Sequence, residues 1–186
     1  CSSDLKSADI EIRFRHPRSN ARCRLDWAVP NDKMPDAQRL MERAVNDGTK
    51  IFIIQSADEW SEFIAVNSKA VFKDKFFVGT NWLGGVMFNK PHDIFKELPV
   101  GNALNWPYQA LIHTGVERMG LVMEGEELLV GAYHTYPMAI GTAMGIVPMG
   151  KGSVLFSTLD IYGNIINDSA AGLVAKKLIF NMIDFK

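Results

Sequence analysis

The chain has 186 residues, of which 47% are apolar and 22% charged, and its formal net charge is −1. This balance is typical of one globular domain with a sizeable core, and it excludes binding to nucleic acid or an anionic membrane through overall charge. No apolar run reaches the roughly 18 residues that a membrane span requires.

The beginning of the chain, "CSSDLKSAD", permits two interpretations. Cys1 followed by small polar residues is typical of a mature bacterial lipoprotein, which carries a lipid anchor on that cysteine outside the cytoplasm. A cut piece of a longer protein would instead begin at an arbitrary residue. The other cysteine, Cys23, lies in the arginine-rich run 13–24, which predicts either a charged sheet edge or a polyanion site.

The first half of the chain alternates between strand and helix patterns. "ADIEIRF" alternates as a strand does, and "PDAQRLMERAVNDG" has apolar residues at helical spacing up to a closing Gly48. The apolar run "KIFIIQ" predicts a strand covered on both faces. Ser56 and Glu59 have capping-box spacing and predict a second helix, which the strand pattern "KFFVGT" follows. This alternation predicts a parallel sheet with helical crossovers.

The second half contains shorter apolar runs separated by Gly, Pro and Glu. "GLVMEG", "ELLVGAY", "MAIGTAMGIVPM" and "SVLFSTLD" predict antiparallel strands, with Gly150 and Gly152 supplying positive φ angles in the last turn. Asp168 is placed to cap a closing helix, "SAAGLVAKKLIFNMI". The whole chain, residues 1–186, therefore predicts a single α/β domain with a mainly parallel sheet and an antiparallel extension.

The stretch "HDIFKELPVGNALNWPYQALI", residues 92–112, has no regular period. It contains two prolines, two aromatic residues beyond its phenylalanine and one histidine, between two apolar segments. Two interpretations remain open: a loop that binds a ligand, or an irregular wall packed by its own aromatic side chains.

Sequence motifs assign no catalytic residue. Neither Gly-x-Ser-x-Gly nor Gly-x-Cys-x-Gly occurs, so the strand-to-helix turn that exposes a nucleophile has no signature. The four histidines lack the spacing of a zinc set, and the glycine-rich stretches do not match a phosphate loop. The sequence therefore predicts no metal site and no cofactor.

Six residues are nevertheless candidates for ligand binding. Asp160 ends the last strand pattern, at the sheet edge where α/β proteins bind ligands, although a helix cap would use the same residue. Aromatic rings stack on the apolar faces of sugars, and they serve equally as core or interface residues. The candidates are Trp82, Trp106, Tyr108, His113, His134 and Asp160.

The order of segments resembles a known family. "HDIFKELPVGNALNWPYQ" resembles a segment of the form His-Pro-(apolar)-Phe-x-Gly-Leu-Pro followed by Asn-Trp-x-Tyr-Gln, and "GTAMGIVPMGKGSVLFSTLDI" with its closing helix resembles the end of the same domain. The resemblance is to the class I glutamine-amidotransferase-like domain near the C-terminus of bacterial, β-galactosidase-like members of glycoside hydrolase family two. It spans residues 35–185, whereas residues 1–34 match poorly.

The resemblance implies a flavodoxin-like three-layer sandwich that has lost the amidotransferase triad. It implies a non-catalytic accessory domain of a secreted glycosidase, with a packing, oligomerisation or carbohydrate-binding role. The implied partners are a carbohydrate, a neighbouring catalytic domain or further copies of the chain. Asp93 stands where the family pattern prefers proline, and Glu97 where it prefers glycine.

Two alternatives belong to other functional classes. One is a free-standing surface lipoprotein that binds carbohydrate. The other is a hydrolase that uses Asp160, His113 or His134 in a crevice, for which a histidine and a carboxylate must approach within about 3 Å.

A sugar-stacking role for Trp106 predicts that Trp106→Ala weakens retention of the protein on a polysaccharide gel and leaves its far-UV circular dichroism unchanged. Loss of the folded spectrum in this variant would contradict a ligand role and assign Trp106 to packing.

Overall fold

The computed structural model describes residues 10–13, 35–54, 56–78, 85–101, 103–104, 106–113, 119–136 and 138–185. Cys1, Cys23 and most of the arginine-rich run lie outside this part of the chain. The helices are α1 (Pro35–Asp47), α2 (Ala57–Val66), α3 (Gln109–His113), α4 (Ile161–Ile165) and α5 (Ala170–Asp184). The strands are β1 (Ile10–Arg13), β2 (Lys50–Ile53), β3 (Val71–Phe77), β4 (Gly85–Asn89), β5 (Met119–Glu124), β6 (Glu127–His134), β7 (Ala139–Met149) and β8 (Gly152–Ser157). Two single-turn 3-10 helices, Asp93–Phe95 and Trp106–Tyr108, separate β4 from α3.

The eight described strands form one mixed sheet with β7 at its centre. The order is β1-β2-β8-β7-β5-β3, and β6 joins β7 to β4. At Thr142, β7 pairs with both β5 and β6, and at Met144 it pairs with both β6 and β8. Strands β8 and β5 therefore share one edge of β7, and β6 occupies the other edge.

The predicted α/β class is confirmed, but the expectation of a mainly parallel sheet is wrong. Among the described strands only the β1–β2 and β2–β8 pairings are parallel. Strand β3 does not continue the predicted series of parallel strands joined by helical crossovers. It pairs antiparallel with β5. Its side chains are mostly exposed and include Lys73, Asp74 and Lys75. These charges suit an edge strand, whereas a strand inside a parallel sheet is buried on both faces.

Helices cover both faces of the sheet and enclose two apolar cores. Ile51 and Ile53 of β2 pack into the core beneath α1 and α2. Phe52 and Ile54 point the opposite way, into the core beneath α3, α4 and α5. The strand alternation of side chains thus explains why the run "KIFIIQ" is continuously apolar, and it gives the fold three layers.

Two local predictions differ from the structure in their details, and one strand was not predicted. Ser56 precedes α2, but it adopts φ 54° and ψ 34°, and its side chain makes no capping hydrogen bond. A side-chain cap requires an extended backbone at that position, which explains the difference. Ser169, not Asp168, caps α5 by accepting a hydrogen bond from Gly172 N at 3.3 Å. Strand β4 was not predicted, because its apolar residues Val86, Met87 and Phe88 are consecutive and do not alternate with polar ones.

The turn between β7 and β8 uses its two glycines for different reasons. Gly150 has φ 60°, as the sequence predicts. Gly152 does not have a positive φ, so that part of the prediction is wrong. A Cβ at Gly152 would overlap Thr49 O and lie 2.8 Å from Ala44 O. Glycine is therefore needed at position 152 because two backbone segments approach closely there.

Replacement of Gly152 by alanine is expected to lower the free energy of unfolding by about 3 kcal/mol, since the atoms opposing the new Cβ belong to backbone and cannot rotate away. Gly101→Ala is the matched control. It has φ 75° but nothing within 4 Å of its Cβ position, so we expect a cost of only about 1 kcal/mol. Urea denaturation measures both values, and equal losses would contradict the close-approach explanation.

Candidate functional site

The irregular stretch 92–112 forms a wall over the core beneath α5. Six of its side chains point inward and leave no more than 3% of their surface exposed. They are Ile94, Phe95, Leu104, Tyr108, Leu111 and Ile112. Of the two interpretations of this stretch, the described residues favour the packed wall.

Tyr108 anchors this wall through its hydroxyl group. The hydroxyl donates to Pro99 O at 2.7 Å, and Asn89 Nδ2 donates to the same carbonyl at 2.8 Å. The Phe95 ring meets the Tyr108 ring edge-to-face, with centroids 6.5 Å apart. Burial raises the pKa of Tyr108 to about 12. Because the residue is 2% exposed, it is enclosed by the protein and offers no surface to a sugar.

Asp160 follows β8 and is used as a helix cap. Its carboxylate accepts from Gly163 N at 2.9 Å, which fixes the start of α4. Its own backbone N–H donates to Leu111 O at 2.9 Å. The sequence offers a capping role and a ligand role for Asp160, and the geometry accounts for the residue by the capping role.

His134 is the last residue of β6, which pairs with the opposite edge of β7 from β8. It is half-buried, and its Nδ1 is 3.0 Å from Phe77 O, so this nitrogen carries the proton in that contact. In the sheet, His134 is paired with Ala139 of β7. Thr158, two residues before Asp160, donates its backbone N–H to Ala143 O of β7. Four residues of β7 separate these positions by about 13 Å. The strand geometry therefore places the two backbones far apart for an acid–base pair.

The side chains of the three remaining candidates lie outside the described part of the chain. Trp82 lies outside the described residues, and for Trp106 and His113 only the backbone is described. Their roles in ligand binding stay predictions.

An open cleft lies between α5 and the first 3-10 helix, and no sequence motif indicated it. Its volume is about 550 Å³, which is in the range of small-molecule sites. We call it the α5 cleft, and it is lined by Asp93, Lys96, Lys177, Asn181, Asp184 and Phe185. The lining comes from segments more than 80 residues apart in the chain, so spacing rules could not find it.

Asn181 forms the connection between the two walls of the α5 cleft. Its side-chain nitrogen donates to Ile94 O and to Lys96 O, both at 2.9 Å. The residue is 7% exposed although it belongs to the apolar face of α5. An asparagine among buried apolar positions was the one signal in the sequence that could have located the cleft.

Two ion pairs and a ring contact define the rim of the cleft. Lys177 Nζ is 2.6 Å from Glu97 Oε2, and this hydrogen bond lowers the pKa of the Glu97 carboxyl. His92 Nε2 lies 3.7 Å from Glu127 Oε1, and this contact is an ion pair when the imidazole is protonated. The His92 ring also lies 4.9 Å from the ring of Phe185.

Comparisons with known proteins assign no family. No protein-family model matches the chain, and no curated protein matches it. In the described part of the chain, no helix has the length and apolar character to cross a membrane, and no group of three or more His, Cys, Asp or Glu residues could hold a metal ion.

Tyr108→Phe is expected to change how stability depends on pH. An unfolded tyrosine has a pKa of about 10, whereas burial in the fold raises the pKa of Tyr108 to about 12. The raised pKa gives a stabilisation that is complete below about pH 10 and is lost as the pH rises through about 12. We therefore expect the free energy of unfolding of the native chain to fall more steeply than that of the variant over this range. Parallel slopes in urea titrations would contradict this role of Tyr108.

Proposed function

We propose that this chain is a non-catalytic, carbohydrate-binding accessory domain of, or descended from, a secreted bacterial glycoside hydrolase of the β-galactosidase-like kind. The observation that carries the proposal is the α5 cleft. It combines the ring of Phe185 with carboxylate, ammonium and amide groups, and sugars are bound by that combination of apolar faces and polar groups.

Two positions in the wall support the family resemblance. Glu97 has φ 64°, a conformation that glycine adopts without strain, and the family pattern prefers glycine at this position. Asp93 is the first residue of a 3-10 helix, and the family pattern prefers proline there. Proline suits the first helical position, because its fixed φ is compatible with a helix and its missing N–H is not needed. The two positions at which this chain departs from the family pattern are therefore positions where the family's glycine and proline would fit the backbone.

The same resemblance leads us to assign the fold to the flavodoxin-like, amidotransferase-like group. The parallel strands β1, β2 and β8, with helices on both faces, support this assignment. The antiparallel strands around β7 would be the family's extension. An extracytoplasmic location belongs to the proposal as well.

The use of Asp160 and His134 supports a binding role over a hydrolytic one. Asp160 holds the first turn of α4, and His134 faces a backbone carbonyl. A histidine and a carboxylate must approach closely to act as an acid–base pair, and about 13 Å of β7 separates the backbone positions of these two residues.

The proposal is tested with the purified chain by two measurements. Chromogenic galactosides should be hydrolysed no faster than in buffer, and migration in native gels containing plant or bacterial polysaccharides should be retarded relative to a gel without glycan. Serum albumin run in the same lanes controls for trapping by the gel. Hydrolysis at enzyme-like rates would overturn the non-catalytic role, and unretarded migration with every glycan in the panel would overturn carbohydrate binding.

A further inference from the structure

The α5 cleft contains a fixed hydrogen-bond acceptor that the fold itself does not use. Both protons of the Asn181 side-chain amide are directed to backbone carbonyls, those of Ile94 and Lys96. No donor among the described residues bonds to Asn181 Oδ1. Among the described residues, Thr49 Oγ1 is the fully enclosed side-chain polar atom that has no partner. Asn181 Oδ1 is therefore not fully enclosed, and because Asn181 lines the α5 cleft we infer that this oxygen is reached from the cleft.

The orientation of this acceptor is determined by its surroundings. If the amide were turned over, Oδ1 would face the two carbonyl oxygens and both hydrogen bonds would be lost. The side chain is also more than nine-tenths buried, so the protein holds it in place before any ligand arrives. A donor group of a ligand therefore meets an acceptor that loses little entropy on binding.

The charges that line the cleft are balanced. Two carboxylates, Asp93 and Asp184, face two ammonium groups, Lys96 and Lys177. Beside the lining, Glu97 is paired with Lys177 and Lys50 lies against Phe185, so the neighbouring residues add one charge of each sign and the balance is kept. A ligand with a net charge would meet a like charge as well as an opposite one, so the balance favours a neutral ligand that both donates and accepts hydrogen bonds.

Phe185 supplies an apolar face whose position is fixed. Lys50 Nζ donates to Phe185 O at 2.5 Å and lies 5.0 Å from the centroid of its ring. The His92 ring packs against it as well. Phe185 is half-buried and lines the cleft, so the part of its ring that Lys50 and His92 leave uncovered can pack on the apolar face of a ligand without first being ordered.

We propose that the α5 cleft binds a neutral pyranose, such as an unmodified hexose unit of a glycan. A sugar hydroxyl donates to Asn181 Oδ1, further hydroxyls bond Asp184 and Lys96, and one face of the sugar ring packs on Phe185. This inference rests on the proposed carbohydrate-binding function, and it adds the place of binding and the chemical class of the ligand.

The test uses the full chain and follows the side-chain amide signals of Asn181 by NMR during titration with methyl glycosides of galactose, glucose and mannose. At least one of these neutral sugars should shift the Asn181 signals in a saturable manner. Galacturonic acid and galactosamine, which add a negative and a positive charge, should bind at least about ten-fold more weakly. Tighter binding of either charged sugar would overturn the assignment of a neutral ligand.

Asp184→Asn and Phe185→Ala should each weaken binding of the same sugar by about ten-fold. Asp184 ends α5, where removal of a negative charge does not disfavour the helix, so the first variant should remain folded. Asp168→Asn is the matched control: its carboxylate is 99% exposed at the opposite end of α5, and its affinity should equal that of the native chain. Unchanged affinity in both cleft variants would overturn the site.

The two proposals fail in distinguishable ways. If the polysaccharide gels retard Asp184→Asn and Phe185→Ala as strongly as the native chain, carbohydrate binding stands and the α5 cleft is not its location. If the gels retard no form of the protein and no sugar shifts the Asn181 signals, the proposed function itself is overturned.

Discussion

The structure depends on the hydrogen-bond pairing of β7 along both of its edges. This one strand holds β6 on one side and both β8 and β5 on the other. In the described part of the chain, strand pairing joins the parallel strands to the antiparallel strands through β7, and the side chains of both groups share two continuous cores. The long run "MAIGTAMGIVPM" is apolar because β7 is covered on both faces over most of its length.

A second constraint shapes the surface where we place ligand binding. The stretch from His92 to Ile112 has no ladder of its own, so its carbonyl groups need donors from elsewhere. Asn181 supplies two donors from α5, and Tyr108 and Asn89 supply donors to Pro99 O. The hydrogen bonds that satisfy the backbone carbonyl groups of this stretch also fix the side chain of Asn181 beside the α5 cleft. Packing and recognition are thus produced by one set of polar side chains.

Much of the fold could be predicted from the sequence, because strong periodicity marks its elements. The limits of α1, the double burial of β2 and the strands β5 to β8 follow from the spacing of apolar residues and from Gly48 and Gly150. The partner of β3 could not be predicted in this way. A pattern of alternating residues predicts that a strand exists, but tertiary contacts determine which strand pairs with it in the sheet.

The site was less predictable than the fold for a physical reason. Candidate residues chosen by type, such as Tyr108 and Asp160, carry groups that the protein itself also needs for packing and capping. The α5 cleft instead joins Asp93 to Asp184, across most of the second half of the chain. No spacing rule connects two such positions, and only the polar Asn181 within an apolar helix face marks the place.

The parallel pairing of β2 with β8 has a consequence for biosynthesis. Ile51 pairs with Val154, about a hundred residues further along the chain, so closing this loop costs more entropy than closing the short turns between β5 and β8. The antiparallel strands can form from neighbours as soon as they are made, whereas the apolar segment 51–54 leaves the ribosome long before its partner exists. Until then only β1 can pair with that segment and the edge that β8 will cover is open and aggregation-prone, so a chaperone that shields it should raise the yield of native protein.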